Sequence, residues 1–288
     1  MKIGQALKWG ENYLAQFSFE DPAVEAEAIL EGIIEIPRTS LYLNREEQCS
    51  PDEETRFQEL IKRRSQREPA AYLLGVKNFN GLDLKVNRSV LIPRPETELL
   101  VEEALGILRN EKSKEVRVLE IGTGSGCISI YLALSFNPAQ MLATDISEEA
   151  LVLAKDNAHN FKVSKNIQFM RSHIYDSLPT GAKGDFDMII SNPPYIASSQ
   201  FPNLDLDLAF EPRTALDGGE QGLDVIKPLV KNAPAYLRTN GTLIIEIGYD
   251  QGPRVKTLFE EAGFSNIRIV PDLNHHDRIV LGKINGPI

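Results

Sequence analysis

The sequence predicts an α/β protein: a mostly parallel, doubly wound sheet preceded by a small helical bundle. The first stretch, up to about residue 73 of 288, places apolar residues at three- and four-residue spacing and contains no alternating run. Near Val76 the period shifts to that of strands. From residue 115 onward short β-branched runs alternate with amphipathic helical stretches, a pattern that calls for parallel strands joined by crossover helices.

In the first part, Ile3, Leu7, Gly10, Leu14 and Phe17 form one stripe of an amphipathic helix. Asp21-Pro22 reads as an N-cap with proline at the first helical position, followed by Val24, Ile29, Leu30 and Ile33 before Pro37. Ser50-Pro51-Asp52-Glu53 is a capping box, and Phe57, Leu60 and Ile61 are the buried face of the helix it starts. Trp9 and the Phe17/Phe19 pair belong to the core of this bundle.

Phe79, Leu82, Leu84 and Val86, then Val90, Leu91 and Ile92, are separated by Asn80-Gly81 and Asn87-Arg88-Ser89. They predict a β-hairpin or two short strands. Pro93-Arg94-Pro95 ends that region, and Glu96 begins a helix through Leu108. Strands follow over 116–121, 140–144, 167–170, 187–191 and 242–247, with helices over 128–134, 148–159, 223–237 and 252–262 between them. The last two strands, 266–270 and 278–282, have no helix between them, so they pair antiparallel at one edge. The domains expected are 1–73 (helical, substrate recognition), 74–95 (hairpin linker) and 96–288 (catalytic).

Composition narrows the function. The net charge is −10, shared evenly between the helical part and the rest, which lacks the basic footprint of a nucleic-acid or anionic-membrane binder. Cys49 and Cys127 supply neither a disulfide framework nor a metal pair. His275-His276-Asp277 has no further ligand spaced on the same element, so no metal is expected. The N-terminus carries Lys8 and Glu11 where a signal peptide would be apolar, and the longest uncharged apolar run, 127–136, is about half a membrane span. A soluble, cytoplasmic protein is expected.

Two segments carry chemistry. Glu120-Ile121-Gly122-Thr123-Gly124-Ser125-Gly126 lies between a strand and a helix, where glycines let the backbone turn sharply and a ligand approach closely. Asp145 ends the next strand, 19 residues after Gly126, placed to accept two ribose hydroxyls. The dinucleotide fingerprint requires glycine at position 127, and Cys127 stands there, which argues against a nicotinamide or flavin site. Ser191-Asn192-Pro193-Pro194-Tyr195 follows a strand and so lies at the same carboxyl edge. Its prolines fix φ and remove donors, leaving carbonyl acceptors beside the Asn192 amide and the Tyr195 ring. Such a cluster suits a planar group bearing an NH₂.

Asn192–Tyr195 resembles the (Asn/Asp)-Pro-Pro-Tyr motif of S-adenosylmethionine-dependent methyltransferases acting on planar nitrogens, and Glu120–Gly126 with Asp145 resembles their cofactor motifs. Phe79-Asn80-Gly81, Leu91–Glu98 (LIPRPETE), Glu211–Leu216 (EPRTAL), Gly222-Leu223-Asp224 and Glu246-Ile247-Gly248 are similar to segments of one branch. That branch is the release factor glutamine methyltransferases, the HemK/PrmC family, and the similarity spans essentially the whole chain. The resemblance implies a seven-stranded, mostly parallel methyltransferase sheet with its last strand antiparallel. It implies methyl transfer from S-adenosyl-L-methionine to the amide nitrogen (N5) of the glutamine in a Gly-Gly-Gln loop of peptide chain release factors. It further implies Asn192, Pro193 and Tyr195 as catalytic, with Pro194 joining them on the substrate. The cofactor residues implied are Glu120, Gly122, Thr123, Gly124, Ser125, Gly126, Asp145, Ile146, Ile174 and Asn192. Ser172-His173-Ile174-Tyr175 approaches the adenine, with His173 where many such enzymes place an acid and Ile174 or Tyr175 packing on the ring.

Three alternatives share parts of this pattern: a ribosomal-protein glutamine methyltransferase, an N6-adenine nucleic-acid methyltransferase, and a non-catalytic nucleotide-binding scaffold. The acidic charge disfavours the second, and the intact set of motifs disfavours the third. No membrane and no direct nucleic-acid substrate are expected. Lys62, Arg63, Arg64 and Arg67 read as a solvated helix face, with a contact to an acidic release factor or to RNA as the alternative.

Overall fold

The computed structural model describes residues 1–110, 115–136 and 139–285. Two compact units emerge, one of Met1–Val76 with Asp205–Phe210, the other of Lys77–Leu204 with Glu211–Ile288. Residues 286–288, the end of the expected catalytic domain, lie outside the described residues.

The first unit is a helical bundle of α1 (Ile3–Leu14), α2 (Pro22–Ile34), α3 (Arg38–Leu43), α4 (Pro51–Arg64) and α5 (Ala70–Leu74). The expected caps form: Asp21 accepts from the Val24 amide, and Ser50 and Glu53 cap each other reciprocally. Leu7, Leu14, Ile29, Leu30, Phe57 and Ile61 fill the core. Gly10 permits the close crossing of α1, because a Cβ there would come within 2.8 Å of Phe57 and 3.0 Å of Ala26. Phe17 lies in a 3₁₀ turn beyond α1 and is partly exposed.

The basic run at the end of α4 is largely committed to this unit rather than solvated. Arg63 pairs bidentately with Glu68 at 2.9 Å, and Arg67 donates to the Phe17 and Ser18 carbonyls over the Phe19 ring. Arg64, only 4% exposed, bonds Glu25 at 2.7 Å and Asp207 at 2.6 Å. A buried guanidinium needs such partners, since desolvation would otherwise penalise the charge.

The second unit begins at Lys77, one residue into β1 (Val76–Phe79), which pairs with β2 (Leu82–Lys85) in a hairpin whose Asn80 and Gly81 both take positive φ, 46° and 81°. This is the two-residue turn that Asn-Gly favours. There follow α6 (Pro95–Leu108), β3 (Val116–Ile121), α7 (Cys127–Ser135), β4 (Ala139–Asp145), α8 (Glu148–Asn160), β5 (Ile167–Arg171) and β6 (Phe186–Ser191). Last come α9 (Ile226–Asn232), β7 (Leu237–Glu246), α10 (Gly252–Glu261), β8 (Phe264–Pro271) and β9 (Asp277–Ile284). The seven strands are ordered β5-β4-β3-β6-β7-β9-β8; β3 to β7 are mutually parallel and β9 runs antiparallel to both neighbours.

Alternate residues of the central strands supply the two cores. Val118, Met188, Ile190 and Ile244 pack under α6, α7 and α8, whereas Leu119, Ile189, Leu243 and Ile245 pack under α9 and α10. Both faces being covered, these strands read as continuous apolar runs.

Two further expectations change, both in the second unit. Val90-Leu91-Ile92 is not a strand: the Ile92 amide donates to the Glu211 carboxylate at 3.0 Å, and Pro93 and Pro95 have no amide for a ladder. The expected 223–237 helix is shorter, passing after Asn232 into a 3₁₀ turn at Ala233–Ala235, and β7 begins at Leu237 instead of Thr242. An irregularity absorbs the extra residues, with Phe186 opposite Leu237 but Met188 opposite Thr242, and Asn240 at φ 64° within it.

Asn157 of α8 ties the hairpin to the glycine loop. Its Oδ1 accepts from the Lys85 amide at 2.9 Å, and its Nδ2 donates to the Lys85 carbonyl at 3.0 Å and the Ser125 carbonyl at 2.9 Å. Asn157→Ala leaves all three backbone groups unpaired near the core, and is expected to lower the unfolding free energy by about 2 kcal/mol. Urea denaturation measures it; a loss under about 0.5 kcal/mol, the range of ordinary surface substitutions, would deny the tie.

Candidate active site

The carboxyl ends of β3, β4, β5 and β6 open onto a cavity of about 630 Å³. The first loop leaves β3 through Gly122, Gly124 and Gly126, at φ 77°, 53° and 84°, a region a side chain enters only with strain. A Cβ on Gly124 would meet nothing within 4 Å, whereas one on Gly126 would press Ile130 at 3.1 Å and Ala154 at 3.3 Å. Gly124 therefore borders open space, and Gly126 admits the packing of α7 and α8.

Asp145 ends β4 with each carboxylate oxygen accepting one backbone amide, Gly124 at 2.9 Å and Ser147 at 2.9 Å. Burial raises its carboxyl above the ordinary value, and those amides oppose the rise. The amides fix the carboxylate on the cavity wall with lone pairs left for ligand hydroxyls. At the end of β5, Ile174 is a β-branched residue at φ 50°, strained by on the order of 1–3 kcal/mol, with its side chain half in the core and half lining the cavity. Ser172 Oγ supports the turn, accepting from the Ser177 amide and donating to the Ile174 carbonyl.

β6 delivers Asn192, Pro193 and Pro194 to the opposite wall. Asn192 Nδ2 donates to Thr97 Oγ1 at 3.0 Å, leaving Oδ1 as an acceptor. Thr97 Oγ1 in turn donates to Glu246 Oε2 at 2.7 Å. The remaining wall is Ser89–Leu91 with Pro93 and Pro212–Ala215, clasped by the buried Glu211, which accepts from the Ile92 amide and pairs with Arg94.

The residues expected from sequence thus divide. Gly122, Thr123, Gly124, Ser125, Asp145, Ile146, Ile174, Asn192, Pro193 and Pro194 line the cavity. Glu120, Gly126 and Tyr195 stand behind its wall. Glu120 is fully buried beneath the loop, accepting from the hydroxyls of Thr123 (2.8 Å) and Ser129. Tyr195 turns its hydroxyl to Glu246 Oε1 at 3.2 Å and borders a separate cavity with Arg254 and Arg278. Tyr175 does not face the cavity either. It stacks on Tyr236 at 4.5 Å and donates to the Leu229 carbonyl. His173 lines the cavity beside its partner Asp176.

The sequence alone does not mark Thr97 and Glu246 as site residues, although both lie in segments that carry the resemblance. They are 149 positions apart, and only the fold joins them. Among the described residues no cluster of His, Cys, Asp and Glu has the arrangement of a metal site, and no helix is long and apolar enough to cross a membrane.

Two family models match the chain: the PrmC N-terminal domain over residues 5–75 and a methyltransferase domain over residues 112–263. A release factor glutamine methyltransferase of Geobacter sulfurreducens is 38% identical over 285 residues, covering 98% of this chain and 96% of the relative. One from Xylella fastidiosa is 40% identical over 263 residues, covering 91% and 94%. A crystal structure of a methyltransferase from Pyrococcus furiosus, 20% identical, superposes with a TM-score of 0.52 over 72% of this chain and 90% of that one, a likeness of fold alone.

Burial raises the carboxyls of Glu120 and Glu246 from an ordinary 4.5 to about 7, against the opposing hydroxyl hydrogen bonds. A carboxyl raised in the folded state contributes stability that is complete below about pH 4.5 and lost as pH rises through 7. The ligand-free protein should therefore lose on the order of a few kcal/mol of stability between roughly pH 5 and 8. Glu120→Gln should remove about half of that loss in urea titrations run across the range. A slope unaffected by the substitution would contradict the burial of an ionising Glu120.

Proposed function

The chain belongs to the release factor glutamine methyltransferase family, and on that premise we propose that it methylates the side-chain amide nitrogen (N5) of the glutamine in the Gly-Gly-Gln motif of peptide chain release factors, with S-adenosyl-L-methionine as donor. The observation that carries the reading is the Asn192 carboxamide, whose Nδ2 is committed to Thr97 so that Oδ1 remains an acceptor, with Asn192 and Pro193 both lining the cavity.

The cavity's residues fit the donor. Asp145 offers its remaining lone pairs to the two ribose hydroxyls, and Gly122 and Gly124 present backbone without side-chain obstruction to the methionine portion. Ile146 and Ile174 supply apolar surface for the base, with Ser172 and His173 at the same end. Glu120 and Gly126 act one layer back, through Thr123 and the packing of α7. When bound, S-adenosylmethionine supplies an electrophilic methyl group on a sulfonium.

An amide nitrogen is a poor nucleophile because its lone pair is delocalised into the carbonyl. Asn192 Oδ1 and the Pro193 carbonyl accept its two N–H bonds, which fixes the plane of the amide and aims the lone pair across the cavity. This converts binding into orientation. As the new N–C bond forms and the methyl–sulfur bond breaks, the donor leaving as a neutral thioether, the nitrogen gains positive charge. Both acceptors therefore bind more strongly in the transition state than before it, and the excess proton passes to solvent after transfer. Pro194 packs on the glutamine stem, and Tyr195 holds the far side of the loop through Glu246. No general base need remove a proton before attack. In the same reading, residues 1–73 recognise the release factor, 74–95 link the parts, and 96–288 perform the transfer.

The experiment that tests this is transfer of labelled methyl to purified release factor, with a Gln→Ala change in its Gly-Gly-Gln loop as control. Signal that survives the control would reject the assigned acceptor. With that assay, Asn192→Ala should lower kcat by about tenfold or more, the loss of at least about 1.4 kcal/mol, with cofactor affinity less affected. Wild-type turnover in that variant would remove Asn192 from the mechanism. Asp145→Ala should weaken cofactor binding by about 10- to 100-fold in calorimetry, the worth of hydrogen bonds to a charged acceptor. An unchanged Kd would place the ribose elsewhere.

A further inference from the structure

We propose that Thr97 and Glu246 are positioning residues that select the productive orientation of the Asn192 carboxamide, through a directed chain of hydrogen bonds anchored at Tyr195. The inference rests on the role given to Asn192 above and adds the reason that residue faces the right way.

The oxygen and nitrogen of an Asn side chain are nearly the same size, so packing alone distinguishes poorly between the amide and its flipped form. Here the flip decides function: Oδ1 toward the cavity accepts the substrate amide, whereas Nδ2 in that place sets donor against donor. Thr97 makes the choice. Its hydroxyl has a single proton, and Glu246 Oε2 takes it at 2.7 Å. Only lone pairs then remain toward Asn192, and only Nδ2 satisfies them, at 3.0 Å. The direction of the chain originates at Glu246, since a carboxylate is acceptor-only. Its other oxygen accepts from Tyr195 at 3.2 Å, which holds the carboxylate from the side of the Asn-Pro-Pro-Tyr loop.

The chain is shielded from solvent. Thr97 is 2% exposed and Glu246 fully buried, one on α6 and the other at the last position of β7. In water such hydroxyl contacts would exchange freely, but in a buried site an unpaired partner is costly, so the direction is held. The charged and titratable groups felt by Glu246 come from every packed element: Glu96 on α6, Cys127 on α7, Tyr195 on the loop and Arg278 on β9. Arg278 lowers the Glu246 carboxyl and Glu96 raises it, while burial dominates and brings it to about 7. When Glu246 takes up a proton on Oε2 it donates to Thr97 instead of accepting from it, the Thr97 hydroxyl proton is free to point at Asn192, and the preference for the productive form of Asn192 is lost. Protonation therefore slows turnover on the acid side.

Thr97→Val keeps the shape and removes the hydroxyl, whereas Thr97→Ser keeps the hydroxyl. The expected result is a fall in kcat of about tenfold in Thr97→Val, with KM for release factor and cofactor affinity within about twofold of the unaltered enzyme. Thr97→Ser recovers most of that loss. Nitrogen-15 NMR of the cofactor-free protein reads the orientation without activity: the Asn192 side-chain amide has one exchange-protected proton, and Thr97→Val loses the protection. The unaltered enzyme shows an acid limb in kcat near pH 7, and Glu246→Gln abolishes that limb. Full turnover in Thr97→Val, failure of Thr97→Ser to restore it, or an acid limb that persists in Glu246→Gln would overturn the proposal. Absence of methyl transfer by the unaltered enzyme would instead reject the function assigned above, so the two failures are distinct.

Discussion

Everything at the site depends on the position of β3 in the sheet. It lies between β4 and β6, both parallel to it, and β5 and β7 extend the same parallel set outward. The chain moves from β3 to β4 on one side and reaches β6 on the other, so the order reverses beside β3. Loops leaving the carboxyl ends at such a reversal diverge, and a crevice opens between them. The glycine turn after β3, Asp145 after β4 and Asn192 after β6 meet there because hydrogen-bonded parallel strands leave them no other place. Along this edge Ile174 and Asp145 line one end of the crevice and Asn192 and Pro193 the other, which is the arrangement the proposed function uses for a nucleoside and an amide.

The same device supports both halves of the crevice. A carboxylate lies buried at or near the end of a strand, and two hydroxyls from flanking segments donate to it. Under the glycine loop it is Glu120 of β3, with Thr123 and Ser129; under Asn192 it is Glu246 of β7, with Thr97 and Tyr195. Each buried acid costs desolvation free energy, visible as the upward displacement of its carboxyl. In return each loop has a fixed hydrogen-bond direction at its base. Preorganised polar groups of this kind need no rearrangement when charge develops in the reaction, which is where an enzyme gains most.

Much of this was legible in the sequence. The strand 116–121, the capped helices and the Asn-Gly hairpin follow from local patterns, and local hydrogen bonding realises them without help from distant residues. The glycine loop, Asp145 and Asn192–Pro194 were legible for a related reason: each is a strand end, and parallel topology sends strand ends to one edge. What escaped depends on contacts across long sequence separation. Glu120 has the spacing of a cofactor contact, yet two nearby hydroxyls draw it beneath the loop. Tyr195 turns away because Glu246 offers a buried acceptor 51 positions later. Val90–Ile92 has strand composition, but the buried Glu211 takes the amide that a ladder would have used. The arginines of α4 read as a solvated face until Glu25, Glu68 and Asp207 are seen to hold Arg63 and Arg64. In each case a buried polar group overrode local preference, since leaving it unpaired costs more than distorting the element that satisfies it.

The central claim is that this crevice orients a glutamine amide toward a methyl donor, and tandem mass spectrometry tests it most directly. Release factor incubated with the enzyme and isotopically labelled S-adenosylmethionine should carry a single labelled methyl, located by fragmentation on the side-chain nitrogen of the Gly-Gly-Gln glutamine. A label confined to another residue, or found on adenine of added nucleic acid while the glutamine stays unmodified, would contradict the account.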